Sequence, residues 1–237
     1  MAHRFLRQKF SSVGIVVALS AMALLAASQA AGSGGRSGLE TAILPMLVLA
    51  AGCVSKDASG GALQMILCRP IRRSEYLFGR YLGILAGYAA FLAAACALAV
   101  LFSRALLPSL GALPPPLSFP ALGRQLLGTL LGGTATAATI LLLSTFLPGY
   151  GDVLGFVLLT PLFALPGLAG QILNAPWLRN AGQTLQKNLL PSLDWAAVLG
   201  GQNPVGEPTG RWVFAVVLYL VFALAIFSRR QFAYGQD

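Results

Sequence analysis

The stretch that decides the fold runs from Ser59 to Gly87 and reads SGGALQMILCRPIRRSEYLFGRYLGILAG. Twelve consecutive residues within it concentrate charge, with four arginines and one carboxylate: Arg69, Arg72, Arg73, Arg80 and Glu75. Apolar segments flank the stretch on both sides, and basic residues between membrane helices favour the cytoplasmic face. The stretch is therefore predicted to be a cytoplasmic elbow between two membrane helices.

The first limb of the elbow, residues 61–68, is predicted to be a short helix with one apolar side. Leu63, Ile66 and Leu67 follow one another at the helical spacing i, i+3 and i+4. Pro70 lacks a donor N–H and disfavours the α conformation in the residue before it, so we expect this limb to end there.

The second limb is predicted to be the start of a membrane helix. Ser74 is the predicted N-cap, because its hydroxyl can accept a hydrogen bond from a free N–H of the first turn. Glu75 would then complement the positive end of the helix dipole. From there the sequence is apolar, so the helix is expected to continue into the membrane.

The composition predicts an all-α polytopic membrane protein. Apolar residues make up 57% of the 237 residues and charged residues only 10%, and the mean hydropathy is +0.75. Soluble domains carry about 25% charged residues. Since a bilayer core requires about 20 apolar residues per helix, we predict six transmembrane helices in a single domain, residues 1–237. The predicted spans are 12–31, 39–54, 81–102, 126–147, 153–173 and 212–228.

The basic residues predict the orientation. With the N-terminus inside, ten of the 16 lysines and arginines fall in cytoplasmic segments and six on the opposite side, which favours two cytoplasmic termini. Trp177, Trp195 and Trp212 all lie at or near predicted outer ends of spans. Topology and attraction to anionic lipid explain the net charge of +9 better than nucleic-acid binding does. We expect a multi-pass protein of the inner (plasma) membrane.

The first 31 residues have a second interpretation. Arg4, Arg7 and Lys9 precede an apolar run with small residues at 28–30, which is the pattern of a secretory signal. The run is close to full membrane length, which favours an uncleaved first helix. The short Gly/Ser-rich turn at 32–38 would then return the second span antiparallel to the first.

Two sets of glycines are predicted to let helices pack closely. They recur at four-residue intervals on single helix faces, where a missing side chain allows a neighbouring backbone to approach: Gly79, Gly83, Gly87, Gly128 and Gly132. Close packing at the first three would join the elbow mechanically to the helix bundle. The alternative is ordinary packing with no role in motion.

Polar side chains in and after the fourth span each have two interpretations. The hydroxyls there are Thr134, Thr136, Thr139, Ser144 and Thr145. Such hydroxyls usually bond a carbonyl oxygen one turn back in their own helix. Alternatively, Thr136, Thr139 and Ser144 line a polar translocation path. Asp152 either complements the dipole of the fifth helix or pairs with an elbow arginine.

Prolines and an amphipathic segment mark the predicted outer side. Residues 107–120 contain five prolines and are predicted to form a loop. Pro161 and Pro166 are expected to kink or break the fifth span. Residues 177–190 are predicted to form a short amphipathic helix in the outer interface.

Sequence motifs for catalysis are missing. No lysine follows a phosphate-binding glycine pattern, and neither HExxH nor CxxC occurs. His3 is the sole histidine, which argues against a Ser-His or Cys-His hydrolase. Cys53, Cys68 and Cys96 lack the spacing of a metal or redox site. We therefore predict no enzyme activity, no catalytic or metal-binding residues and no cofactor in this chain.

Residues 63–83, LQMILCRPIRRSEYLFGRYLG, resemble the segment between the second and third spans of type-2 ABC exporter permeases. In that family an apolar stretch precedes Arg-Pro-Ile, a basic or polar pair, Glu with Tyr or Phe, and a Gly-Lys/Arg-aromatic-Leu-Gly helix entry. Elsewhere the resemblance rests on the number and order of spans. The N-terminus departs from the pattern, because it is too short for the long amphipathic helix that some members carry.

The resemblance implies a permease subunit that exports, or transduces mechanically, with energy from a separate cytoplasmic ABC ATPase. That partner would bind ATP and Mg, and the permease would form a homodimer or a heterodimer with a similar permease. The implied ATPase contacts are Arg69, Pro70, Arg72, Arg73, Ser74, Glu75 and Tyr76. The alternative function is a non-transporting membrane anchor or assembly factor that recruits cytoplasmic partners through the elbow.

Overall fold

The computed structural model describes residues 13–39, 43–55, 57, 72–109, 116–147, 150–189, 198–199 and 206–229. Within these ranges the regular structure is helical and contains no strand, which confirms the all-α prediction. The helices are α1 (Val13–Gly32), α2 (Ile43–Ala50), α3 (Arg73–Leu101), α4 (Phe119–Phe146), α5 (Gly151–Ile172), α6 (Pro176–Leu189) and α7 (Gly206–Arg229). A π-helical turn, Phe102–Leu106, and a last helical turn, Leu107–Ser109, extend α3.

Among the described residues, four helical stretches are long and apolar enough to cross a membrane. They are Gly14–Gly32, Arg73–Ser109, Phe119–Phe146 and Thr209–Arg229. They coincide with the first, third, fourth and sixth predicted spans, which supports transmembrane character. The predicted second span contains the eight-residue α2, and the predicted fifth span overlaps the 22-residue α5, which begins two residues earlier; neither helix is among the four.

The helices on either side of the predicted loop at 107–120 extend beyond the predicted spans. Helix α3 begins at Arg73, eight residues before the predicted third span, as the prediction of a second limb that continues into the membrane requires. Helix α4 begins at Phe119 and includes Pro120, which the first turn of a helix tolerates since its N–H groups lack intrahelical partners. Pro108 lies in the last helical turn after α3. The predicted loop at 107–120 is therefore helical at both ends.

Helices α5 and α6 form a hairpin. Pro161 and Pro166 lie inside α5, which continues through both, so the predicted break does not occur. After α5, Asn174 adopts φ +50°, the left-handed conformation that asparagine tolerates at a helix C-terminus. Pro176 then occupies the first position of α6, where its fixed φ suits a helix start. Helix α6 packs against α5 and confirms the helix predicted at 177–190.

The chain divides into two compact units, and α3 and α4 contribute residues to both. Unit 1 contains Met1–Leu49, Gly79–Thr134 and Asp194–Val205, and unit 2 contains Ala50–Phe78, Ala135–Leu193 and Gly206–Asp237. In unit 1 the end of α1 is closed by a Schellman motif, in which Gly35 N–H donates to Ala30 O at 2.8 Å and Gly34 N–H donates to Ala31 O. Gly34 O in turn accepts from Ser118 N–H at 3.0 Å, so the end of α1 lies beside the start of α4.

Candidate functional site

The candidate site lies in unit 2, where the second limb of the elbow becomes α3. Arg72 N–H donates to Glu75 Oε2 at 3.3 Å, and Arg72 O accepts the first helical hydrogen bond from Tyr76 N–H. A glutamate three residues after the N-cap that bonds the N-cap N–H is one half of a capping box. Arg72 is therefore the N-cap, and the predicted cap at Ser74 is wrong because Ser74 is already the second helical residue.

Arg73 attaches this helix start to the end of α7. Its Nη1 donates to Ser228 O at 2.7 Å and to Phe227 O at 3.3 Å. The last carbonyl groups of a helix lack intrahelical partners and carry the negative end of the dipole. A guanidinium therefore stabilises them both by hydrogen bonding and by its positive charge. The position of Arg73 is thus explained by helix capping within the chain.

Tyr76 makes a second attachment to α7 and one to the residues before the elbow. Its ring stacks on Phe227, with centroids 5.7 Å apart and planes 13° from parallel. Its hydroxyl donates to Asp57 Oδ2 at 2.7 Å, and all three residues are buried. Since a carboxylate acceptor makes this a charge-assisted hydrogen bond, Tyr76 holds the two sides of the elbow together.

The turn after α2 is held by α4 and α5. Ser144 Oγ accepts hydrogen bonds from Val54 N–H and Ser55 N–H, each at 3.0 Å, and donates to Ser55 Oγ at 3.3 Å. Asp152 Oδ2 accepts from Gly52 N–H at 2.8 Å. Ser144 and Asp152 are fully buried, so these bonds satisfy backbone donors that water does not reach.

We call these residues the root cluster, because they lie where the elbow leaves the helices. The cluster consists of Gly52, Val54, Ser55, Asp57, Tyr76, Ser144 and Asp152. It combines backbone donors, two serines, one tyrosine hydroxyl and two carboxylates, and it can brace helix ends against one another. Within the described ranges no group of three or more histidine, cysteine, aspartate or glutamate side chains could hold a metal ion.

The predicted elbow residues are only partly visible in the structure. Arg69, Pro70 and the limb at 61–68 lie outside the described residues. The Arg72 side chain and Glu75 are exposed, whereas Tyr76 is buried. The predicted ATPase contacts therefore divide into surface positions and positions that serve packing.

The predicted packing glycines are distributed over α3 and α4. Gly83, Gly87 and Gly128 are buried, and Gly79 is half-buried. At Gly132 an added Cβ would meet no described atom within 4 Å, whereas at the neighbouring Gly133 it would collide with the Tyr88 ring. Gly133, which the four-residue spacing did not select, thus makes a close approach to Tyr88 in unit 1.

The hydroxyls of α4 behave in two ways. Thr134, Thr139 and Thr145 bond carbonyl oxygens three or four residues back in their own helix. Ser144 instead bonds the turn after α2, and Thr136 is half-buried. Asp152 lies in the first turn of α5, as the dipole interpretation expects, but its bond to Gly52 has no signal in the sequence.

No protein-family model matches the chain, and none of the curated proteins matches it. Over the residues that the structure describes, the fold and the site define an all-helical protein with four helices fit to cross a membrane. Its buried polar cluster joins helix ends around a basic segment.

Proposed function

We propose that this chain is the membrane-spanning permease subunit of an ABC exporter, which exports or transduces mechanically with energy from a separate ATPase. The proposal draws on the resemblance of residues 63–83 to the elbow of that family. It further requires an elbow that is continuous with a membrane helix. Helix α3 supports this, because it runs without interruption from Arg73 at the elbow to Leu101.

The observation that carries the proposal is the attachment of the elbow to α7. Arg73 caps the α7 carbonyls, and Tyr76 stacks on Phe227. A force applied to a segment reaches other helices only if the segment is fixed to them. The second limb of the elbow is fixed to α7 through these contacts, so an ATPase that pulls on the elbow would act on α3 and α7 together.

Six spans with cytoplasmic termini in the plasma membrane complete the proposal. In an alternating six-span path, the end of α1 and the start of α4 share a side, and these ends meet in unit 1 through Gly34 and Ser118. The same path places the turn after α2 beside the α4–α5 corner, and the start of α3 beside the end of α7. The contacts of Ser144 and Arg73 in unit 2 agree with both pairings.

The partners in this proposal are a cytoplasmic ABC ATPase, which binds ATP and Mg, and a second permease, either a copy of this chain or a similar one. Of the elbow arginines that the structure describes, Arg72 is the one best placed to contact the ATPase, because its side chain is exposed and Arg73 is engaged with α7. Membrane lipid surrounds the exposed apolar side chains, such as Leu154 and Phe222.

The test is purification of the chain from its native membrane in mild detergent, followed by an assay for bound ATPase. We expect a nucleotide-hydrolysing subunit to co-purify with the parent chain, and less of that subunit to co-purify with the Arg72→Glu variant. Arg179→Glu, the same charge reversal at an exposed position of α6, is the matched control and should retain the ATPase. If the parent chain carries no ATPase, the permease proposal is rejected. If an ATPase is bound but no candidate substrate changes its activity, the result would favour the alternative function, a non-transporting membrane anchor or assembly factor.

A further inference from the structure

Ser144 differs from the other hydroxyl residues of α4. Thr139 and Thr145 bond carbonyl oxygens of their own helix, whereas Ser144 Oγ accepts two N–H groups of the turn after α2. Asp152, at the start of α5, accepts a third N–H of the same turn, from Gly52. The α4–α5 corner therefore holds this turn mainly through its backbone, with one additional hydrogen bond from Ser144 Oγ to the Ser55 hydroxyl.

Breaking these bonds would be costly. The two acceptors are fully buried, and Val54 and Ser55 are buried as well. A buried N–H without an acceptor loses its hydrogen bond to water as well as its bond to protein. The turn is thus expected to move with the α4–α5 corner and not to slide past it.

We infer that Ser144 and Asp152 are positioning residues that transmit motion of the elbow to α5, an inference that rests on the proposed permease function. The elbow leaves the described residues at Asp57 and returns at Arg72. Asp57 is bonded to Tyr76, and the turn before it is bonded to Ser144 and Asp152. A displacement of the elbow at Asp57 therefore reaches the neighbouring turn along the chain, and it reaches the first turn of α5 through the buried hydrogen bond from Gly52 N–H to Asp152.

Helix α5 can carry such a displacement across its length. It has 22 residues, is continuous through both prolines, and ends in the hairpin with α6. Movement of Asp152 would then move the α5–α6 hairpin. The sequence predicted an outer helix at this position, so the moving element would connect the ATPase side to the opposite face of the membrane.

The first test measures hydrogen exchange of the parent complex and of Ser144→Ala. We expect the amides of Val54 and Ser55 to exchange about tenfold faster in the variant, since both lose their acceptor. Thr139→Val is the matched control, because it removes a buried hydroxyl of α4 whose hydrogen bond among the described residues stays within its own helix, to Ala135 O. Unchanged exchange in Ser144→Ala would overturn the bracing arrangement. This readout does not depend on the ATPase.

The second test measures motion. Spin labels are attached through p-acetylphenylalanine introduced at Phe78 and Leu154, two exposed positions near the starts of α3 and α5. In the parent complex we expect the same distance between the labels without nucleotide and with ATP plus vanadate, because the two helix starts move together. In Ser144→Ala the distance should differ between the two conditions.

The outcomes separate the two levels of inference. Suppose that the Val54 and Ser55 amides exchange faster in Ser144→Ala but the distance between the labels is the same with and without nucleotide. This result would overturn the transmission role and leave the permease proposal standing. A label distance that changes with nucleotide in the parent complex would also overturn the transmission role. Absence of an ATPase from the parent preparation would reject the permease function and, with it, the transmission role, whatever the exchange experiment shows.

Discussion

The hydroxyl of Tyr76 donates a 2.7 Å hydrogen bond to Oδ2 of Asp57, and both residues are buried. The bond joins the last described residue before the elbow to the first turn of α3, where the second limb of the elbow begins. It therefore closes the elbow at its base, while the Tyr76 ring is held separately by Phe227. The hydrogen bond and the ring contact can be removed one at a time.

Tyr76→Phe is expected to destabilise the protein by about 1.5–3 kcal/mol, since a buried carboxylate loses a donor while the ring contact is retained. The free energy of unfolding in mixed micelles, followed by circular dichroism, measures the effect. Tyr88→Phe is the control, because Tyr88 is an equally buried tyrosine of α3 that packs against Gly133. Equal effects of the two changes would show that the Asp57 bond contributes nothing specific.

Gly133→Ala is expected to destabilise unit 1, whereas Gly132→Ala is not. The new Cβ at 133 would overlap the buried Tyr88 ring, and overpacking of this kind costs about 1–3 kcal/mol. At 132 the described residues leave space, and replacing a helical glycine by alanine gains up to about 1 kcal/mol. Thermal unfolding of both variants in one detergent provides the comparison. A larger loss at 132 would contradict the packing described for α4.

Gly38→Ala is expected to be among the most damaging single changes in the first loop. Gly38 has φ +113°, and an added Cβ would lie 2.5 Å from Ala30 N, which is a backbone atom of α1. Strain and overlap together should cost at least about 2 kcal/mol in the free energy of unfolding. Gly32→Ala, at the last residue of α1 with no described atom near the new Cβ, serves as the control and should leave stability unchanged or higher.

Much of the helical architecture could be predicted because its signals are local. Long apolar stretches identified four helices that are fit to cross a membrane, and the segment at 177–190 was recognised as a helix. The predicted start of α3 was less accurate, because neighbouring residues suit more than one N-cap position. Ser74 and Glu75 both suit a helix start, and the carboxylate decided it by reaching back to Arg72 N–H, so the helix begins two residues earlier than predicted.

The root cluster could not be predicted because its partners are distant in sequence. Gly52 and Asp152 are 100 positions apart, and Ser144 lies 90 positions from Val54. Nothing in the local pattern distinguishes Ser144 from Thr139, although one bonds another segment and the other bonds its own helix. Only the packing of the helix ends decides which hydroxyl is free to brace the turn.

Arg73→Gln is expected to loosen the end of α7 more than Arg72→Gln does. Arg73 donates to the Phe227 and Ser228 carbonyls, whereas the Arg72 side chain is exposed. Loss of a charge-assisted cap at a helix C-terminus costs about 1–2 kcal/mol, so the amides in the last turn of α7 should exchange about tenfold faster in Arg73→Gln. Arg73→Lys should restore part of the protection, because an ammonium group keeps the charge without the guanidinium fork. Identical exchange in the variants at 72 and 73 would show that α7 is not attached to the elbow through Arg73, and the attachment would then rest on the stacking of Tyr76 and Phe227 alone.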